Sequence, residues 1–457
     1  MERRFAVRKR EMLAECEVSE RVFRGMAERL AAFVEPFASC LGPPAQREHA
    51  GQYVAGLLSD LKRKNVESIA YRHDEDRRNL QHFIGTAEWD HRPLVQTLVA
   101  QVGEELGEAD AVIVFDPSAF RKKGTRSVGV ARQWCGRYGK IDNCQVAVYM
   151  GYVARNERVL VDTRLYLPEE WASDRRRKAT AGVPKDVRFQ TRHQQALEML
   201  AEHREKLPHG WVAGDDEMGR STVFRRDLRA MNECYLLAVP SNTTVRDLEG
   251  EQPPYQGRGA KPKRPFEQAR RWRESLPEDA WTRITVRDGE KGPLEVEMVT
   301  RQIEAKTDRR RVGPVETLVI IRALDEEGVT KHDYYLSNAP DDTPLGEFAR
   351  VALAAHRVEE CIKRAKSEAG LADYEVRHWA GWHHHQVLSL MAVWFLVQET
   401  RRGKKTHARV DRSASARRLG HAPTSRHSAR HASPHRTRQN APPTTQRRST
   451  LLPLEIT

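Results

Sequence analysis

The chain has 457 residues, 39% hydrophobic and 31% charged, with a formal net charge of +13. Nine Trp, eleven Tyr and twelve Phe exclude a wholly disordered chain and supply core for two or three packed units. Residues 401–457 hold fourteen Lys and Arg against two acids, so nearly all the excess charge sits there and basicity alone does not make the rest a nucleic-acid binder.

Six cysteines (Cys16, Cys40, Cys135, Cys144, Cys234 and Cys361) stand at wide, irregular spacings with no Cys-x-x-Cys pair, which excludes a zinc ribbon and a disulfide framework. The N-terminus has no apolar signal segment, and the longest apolar stretch, 387–397, falls short of the ~20 residues that span a bilayer. A cytoplasmic protein without a membrane partner is expected.

Residues 1–105 read as helices. Apolar positions recur at helical spacing in ERVFRGMAERLAAFVEPF, QYVAGLLSDLKRK and RPLVQTLVAQVGEEL, with Pro43, Pro44 and the run YRHDEDRR as breaks. This predicts a helical N-terminal domain, a candidate for DNA binding. The period then changes. Strands are predicted at 111–115, 145–153 and 158–167, a helix at 187–206, a strand at 211–216, a helix at 220–232 and a strand at 234–240. That order over 106–240 is the first part of an RNase H-like fold. Residues 241–340 open with a basic Pro/Gly-rich loop and continue in WTRITVR, LEVEMVT, ETLVIIRAL and KHDYYLS, a mainly β insertion. Helical patterning returns over 341–400, and the basic tail 401–457 is expected to be disordered. The fold class is α/β: an RNase H-like core, a mixed sheet with flanking helices, carrying a β insertion and an N-terminal helical domain.

Three acids stand out. Asp116 ends one predicted strand, Asp215 ends another, and Glu359 lies on a predicted helix. Strand ends gather at one edge of an α/β sheet, where a helix can bring a third carboxylate. Three carboxylates suit Mg²⁺, and a pair of such ions serves phosphodiester chemistry. Taken singly, each acid is more often a solvated strand-end residue. The flanks add weight. Arg121, Lys122 and Lys123 follow Asp116 and suit a polyanionic backbone, and Lys366 shares a helix face with Glu359 two turns on. Asp216, Glu360 and Glu375 are neighbouring alternatives. Other features have blander readings. His383, His384 and His385 point about 100° apart on a helix and suit a surface facing DNA or solvent better than a metal. Arg258, Lys261, Lys263 and Arg264 either track phosphates or form a solvated loop, and Trp272 and Trp281 suit a core better than a flipped base.

The stretches VIVFDPSAFRKKG, WVAGDDEMG and HRVEECIKRAKSEAGLADYEVRHWAGW resemble the DDE transposases of insertion sequences, in the branch whose last acid sits in a Tyr-x2-Arg-x3-Glu-x6-Lys block. The resemblance spans about 81–396. It implies that Asp116 and Asp215 match the family's aspartates, Glu359 its glutamate and Lys366 its lysine. The Gly-Asp-x3-Gly and Glu-x6-Lys spacings favour Asp215 over Asp216 and Glu359 over Glu360. The block's Tyr and Arg positions fall on Ala352 and Ala355, which removes two side chains that hold the DNA end in the family. The resemblance further implies cleavage of transposon ends and their joining to target DNA. It also implies two Mg²⁺ ions with Mn²⁺ able to substitute, double-stranded DNA as partner, a homodimer on DNA, and a bacterial cytoplasmic protein associated with the nucleoid when bound. The alternative is a DNA-binding protein derived from a transposase and no longer catalytic.

Overall fold

The computed structural model describes residues 25–418, apart from 75, 290–291 and 325–329. Among the described residues, 25–399 form one compact unit and 400–418 belong to another. The first begins with helices α1 (Met26–Ala38), α2 (Pro44–Leu57), α3 (Val66–Arg72), α4 (Arg77–Gly85) and α5 (Arg92–Leu106). Proline opens α2 and sits in the first turn of α5, where a missing N–H leaves no bond unmade. Asn65 and Asp76 cap α3 and α4 by accepting from the N–H groups of Ser68 and Arg78.

The sheet starts with β1 (Val112–Arg121), β2 (Ala131–Cys135), β3 (Lys140–Val153) and β4 (Arg158–Leu165). Helices α6 (Glu169–Ser173), α7 (Arg175–Thr180) and α8 (Arg192–His203) lead to β5 (Trp211–Gly214). Then come α9 (Asp216–Arg220), α10 (Thr222–Ala230) and β6 (Tyr235–Ala238). The core runs β4-β3-β1-β5-β6, with β3 antiparallel to both neighbours and β1, β5 and β6 mutually parallel. This is the RNase H-like arrangement. The expected element order over 106–240 holds, with β2 and the short helices α6, α7 and α9 added.

The insertion carries β7 (Thr244–Asp247), β8 (Glu267–Gln268), α11 (Ala269–Glu274), β9 (Thr282–Gly289), β10 (Gly292–Lys306), β11 (Val312–Leu324) and β12 (Thr330–Ser337). It is mainly β, as its alternating segments predict, yet it is not a detached lobe. Strand β12 pairs with β6, Tyr335 opposite Ala238, so the insertion extends the same sheet. Its outer part has a core of its own built on Val245, Trp272, Ile303, Leu318 and Leu336. Trp272 is buried there and donates to Asp247 Oδ2 at 3.0 Å, which assigns it to packing.

Helices α12 (Leu345–Glu368) and α13 (Trp379–Arg418) complete the described chain. Helix α13 passes the expected boundary at 400; residues 419–457 of the tail lie outside the described residues. The N-terminal helices have no separate core. The rings of Phe33 and Phe395 meet at 5.2 Å, and Trp394 Nε1 donates to Gln101 at 3.0 Å. The expectation of a surface histidine run is corrected here: His383, His384 and His385 are all buried, because α13 is enclosed on every side from Gly381 to Phe395. His384 stacks on Trp89 at 3.6 Å, and His385 Nδ1 lies 2.9 Å from the Tyr53 hydroxyl. Burial pushes the imidazole of His385 down to about 3. Among the described residues no helix is long and apolar enough to cross a membrane.

Candidate active site

Strand β1 outruns its parallel neighbour. Its pairing with β5 ends at Phe115 opposite Gly214, while its pairing with β3 continues to Arg121. The next residue on each strand is an acid, Asp116 on β1 and Asp215 after β5. The sequence places Asp116 at a strand end; the structure places it at the end of the β5 pairing, inside a longer strand. Pro117 is tolerated because one side of β1 has become an edge.

Asp215 caps α9, its Oδ1 accepting from the N–H of Met218 at 3.1 Å. Asp216, the first residue of that helix, is exposed and pairs with Arg220 at 2.8 Å. Helix α12 crosses above the acids. It runs in the direction of β1, with Arg350 donating to Asp110 O at 2.8 Å near one end and Lys366 donating to Ser118 Oγ at 2.9 Å near the other. Gly151 on β3 allows the close approach, since a Cβ there would lie 2.5 Å from Val358. Ala354, one turn before Val358 on the same helix face, presents a small surface to the sheet. With Val358 turned inward, Glu359 emerges beside it. Glu360 is drawn away to Arg158 at 3.0 Å, and Glu375 accepts from Asn65 at 3.2 Å.

Burial, then the charges of Asp215 and Glu359, push the Asp116 carboxyl well above its ordinary range, with Lys366 opposing them. Burial raises Asp215 to about 7 against the pull of the Met218 N–H, and Glu217 and Asp216 add to the rise. This pocket holds an excess of negative charge. A hard divalent cation would offset it, and an all-oxygen donor set fits such an ion.

The flanking cations differ among themselves. Arg121 pairs with Asp142 at 3.3 Å. Lys122 lies 3.5 Å from the centre of the Tyr374 ring, and burial pushes its ammonium down to about 8. Lys123 is exposed. Lys366 also sits over the Phe120 ring at 4.7 Å. Sequence reasoning missed Ser118, whose signal is strand parity with Asp116. It also missed Glu217, held by Arg192 Nη1 at 2.6 Å beside Asp215.

A second acidic group competes for attention. Among the described residues, Asp162, Glu202 and His203 are the trio whose ligand atoms come within 4.8 Å of one another. Arg164 already fills that role, reaching both Asp162, at 3.1 Å, and Glu202, so the group is an internal ion-pair network. The ligand atoms of Asp116, Asp215 and Glu359 do not all lie within 4.8 Å of one another.

A sequence profile described as DDE superfamily endonuclease matches residues 36–293. The chain belongs to the DDE superfamily endonucleases. Enzymes of this superfamily generally use divalent metal ions. The match takes in Asp116 and Asp215 and stops short of α12. A probable transposase for insertion sequence element IS701, from Microchaete diplosiphon, is 25% identical to this DDE endonuclease over 345 residues, 74% of this chain and 80% of the relative. A piggyBac transposase solved as a synaptic complex with hairpin DNA aligns over 80% of this chain and 68% of its own, with 10% identity and a TM-score of 0.34, a likeness too distant to weigh.

Proposed function

We propose that this DDE endonuclease is a DNA transposase that cleaves the ends of a mobile element and joins them to target DNA. The observation that carries this reading is the placement of Asp116, half-buried where β1 outruns β5, beside Asp215 after β5 and within electrostatic reach of Glu359 on α12. Asp116, Asp215 and Glu359 would hold two Mg²⁺ ions, with Mn²⁺ able to substitute. Metal held by these three carboxylates would supply activation of the attacking oxygen and stabilisation of the leaving one. The chain's own residues position the DNA. Lys366 presents a point charge about 10 Å along α12 from Glu359, the reach of a neighbouring phosphate. Ser118 orients that ammonium. Lys123 is exposed for the backbone, and Arg121 and Lys122 reach it by releasing Asp142 and Tyr374. In this reading α12 carries the family's Glu-x6-Lys spacing, and the missing Tyr and Arg at Ala352 and Ala355 leave the DNA end to be gripped elsewhere. Two ends are handled by a homodimer.

The test uses the full chain and duplexes carrying the DNA that borders its gene. Incubation in Mg²⁺ or Mn²⁺ is expected to give strand cleavage at a defined position and joined products with a second duplex. Specific binding with no cleavage in either metal would favour the non-catalytic reading.

A further inference from the structure

On β1, Asp116, Ser118 and Phe120 alternate onto one face of the sheet. Phe120 pairs with Gln145 on β3, and counting back in twos puts Asn143 and Ile141 on the same face. Their partners on β2 are Arg132 and Trp134. The acids and the tip of the β2–β3 hairpin thus share one face of a continuous strand pair. Near the acids that face is covered by Lys366 and Tyr374. At the tip nothing among the described residues covers it: Trp134 is 55% exposed and Ile141 59%.

The surroundings are basic. Arg132 and Lys140 on the hairpin, and Lys123 and Arg126 on the loop after β1, are all exposed. The loop after β1 lines an open cavity of about 470 Å³, formed by residues 122–127 and 374–377. An exposed tryptophan beside an apolar neighbour, ringed by cations and continuous with an acid pocket, matches the chemistry of nucleic-acid stacking platforms. A second copy of the chain would bring the same cations to the contact and be repelled.

We propose that the β2–β3 hairpin is a DNA contact, with Trp134 inserting at a base step of the bound duplex within about eight base pairs of the cleavage point, stacking on the base it unstacks, and Ile141 supporting it. The inference rests on the DNA-cleaving reading of the acids. Ile141 lies eight strand residues beyond Asp116, at most about 27 Å. At 3.4 Å per nucleotide, the contact falls within about eight base pairs of the reacting phosphate.

The experiment measures binding of the full chain to a labelled 40-base-pair duplex of mixed sequence in Ca²⁺. Trp134→Ala is expected to weaken binding about tenfold, within the range of a lost base–aromatic stack. Trp134→Phe should restore most of it, and DNA should quench wild-type tryptophan fluorescence more than that of Trp134→Phe. One patch of hydroxyl-radical protection within about eight base pairs of the mapped cut should vanish in Trp134→Ala. Because the side chain is exposed, both variants should melt like wild type. Equal affinity and equal quenching for wild type and variants, in a wild type that binds and cuts DNA, would overturn the proposal alone. A shift from dimer to monomer in Trp134→Ala without DNA, at unchanged DNA affinity, would overturn it in favour of a contact between copies. A wild type that binds no DNA would instead remove the reading on which the proposal stands.

Discussion

Two acidic groups sit on one sheet and have opposite electrostatics. At β4 and α8, Asp162 is buried, but Arg164, His203 and the Thr163 N–H outweigh that burial and hold its carboxyl below the ordinary range. At β1 and β5, Asp116 is enclosed among other acids and is driven well above that range. The first group looks more like a metal site by distance, since its ligand atoms lie within 4.8 Å of one another. The second is the better candidate by charge balance. Proximity of ligands is common wherever ions pair; a charge deficit left by the protein itself marks where an external cation belongs.

The largest expected effect separates the two groups by activity. Asp116→Asn, Asp215→Asn and Glu359→Gln should each reduce DNA cleavage by on the order of a thousandfold or more while DNA binding persists, as expected for groups that act as a unit. Gel-resolved cleavage products alongside a binding titration check this. If Asp216→Asn is inactive and Asp215→Asn cuts normally, the assignment is wrong by one residue.

The second separates them by stability. Asp162→Asn leaves Arg164 and His203 without their buried partner and should cost about 3 kcal/mol of unfolding free energy, within the range for a broken buried pair. Asp116→Asn should leave the metal-free protein as stable as wild type or more so, because it removes a repelled charge. Urea unfolding in EDTA reads both; a loss for Asp116→Asn as large as that for Asp162→Asn would erase the contrast.

A smaller effect lies at the edge of the acid pocket. Lys366→Ala should weaken binding of the cleaved DNA roughly tenfold and slow cleavage, with the Mg²⁺ concentration for half-maximal rate little changed. Lys366→Arg should keep part of the activity because the charge matters more than the shape. A Mg²⁺ requirement that rises several-fold in Lys366→Ala would mean that the lysine shapes the metal site.

The smallest is a pH effect at the balanced group. The folded pKa of Asp162 is depressed, so its contribution to stability is present above the unfolded value near 3.8 and is lost as pH falls through the folded value. Wild type and Asp162→Asn should therefore begin to converge in melting temperature as pH falls below about 4. A gap that stays constant from pH 7 to pH 3 would show that packing, not charge, holds this pair of elements together.

The sheet was legible because its strands are β-branched runs bounded by polar breaks, and Asp116 and Asp215 each follow such a run. The length of β1 was hidden by Pro117, which reads as a strand end and is tolerated only because β5 stops there. Strand β2 was hidden because Arg132 and Trp134 face solvent and leave no apolar stripe. The burial of His383, His384 and His385 could not be read locally. Their partners Trp89, Ile84, Tyr53 and Gly370 lie on other elements, and only the assembled core supplies them.

That shared core has a consequence for the order of events at synthesis. Helix α2 leaves the ribosome early, but its Tyr53 finds His385 only when α13 emerges, 332 residues later. At about 5–20 residues per second this is a wait of roughly 17–66 seconds, during which the first helices carry an apolar face with nothing to cover it. The pocket around Asp116 is likewise open until α12 arrives. A chain interrupted before α13 is thus expected to leave that face exposed, as aggregation-prone intermediates do, and DNA cleavage is expected only once α12 and α13 have been made.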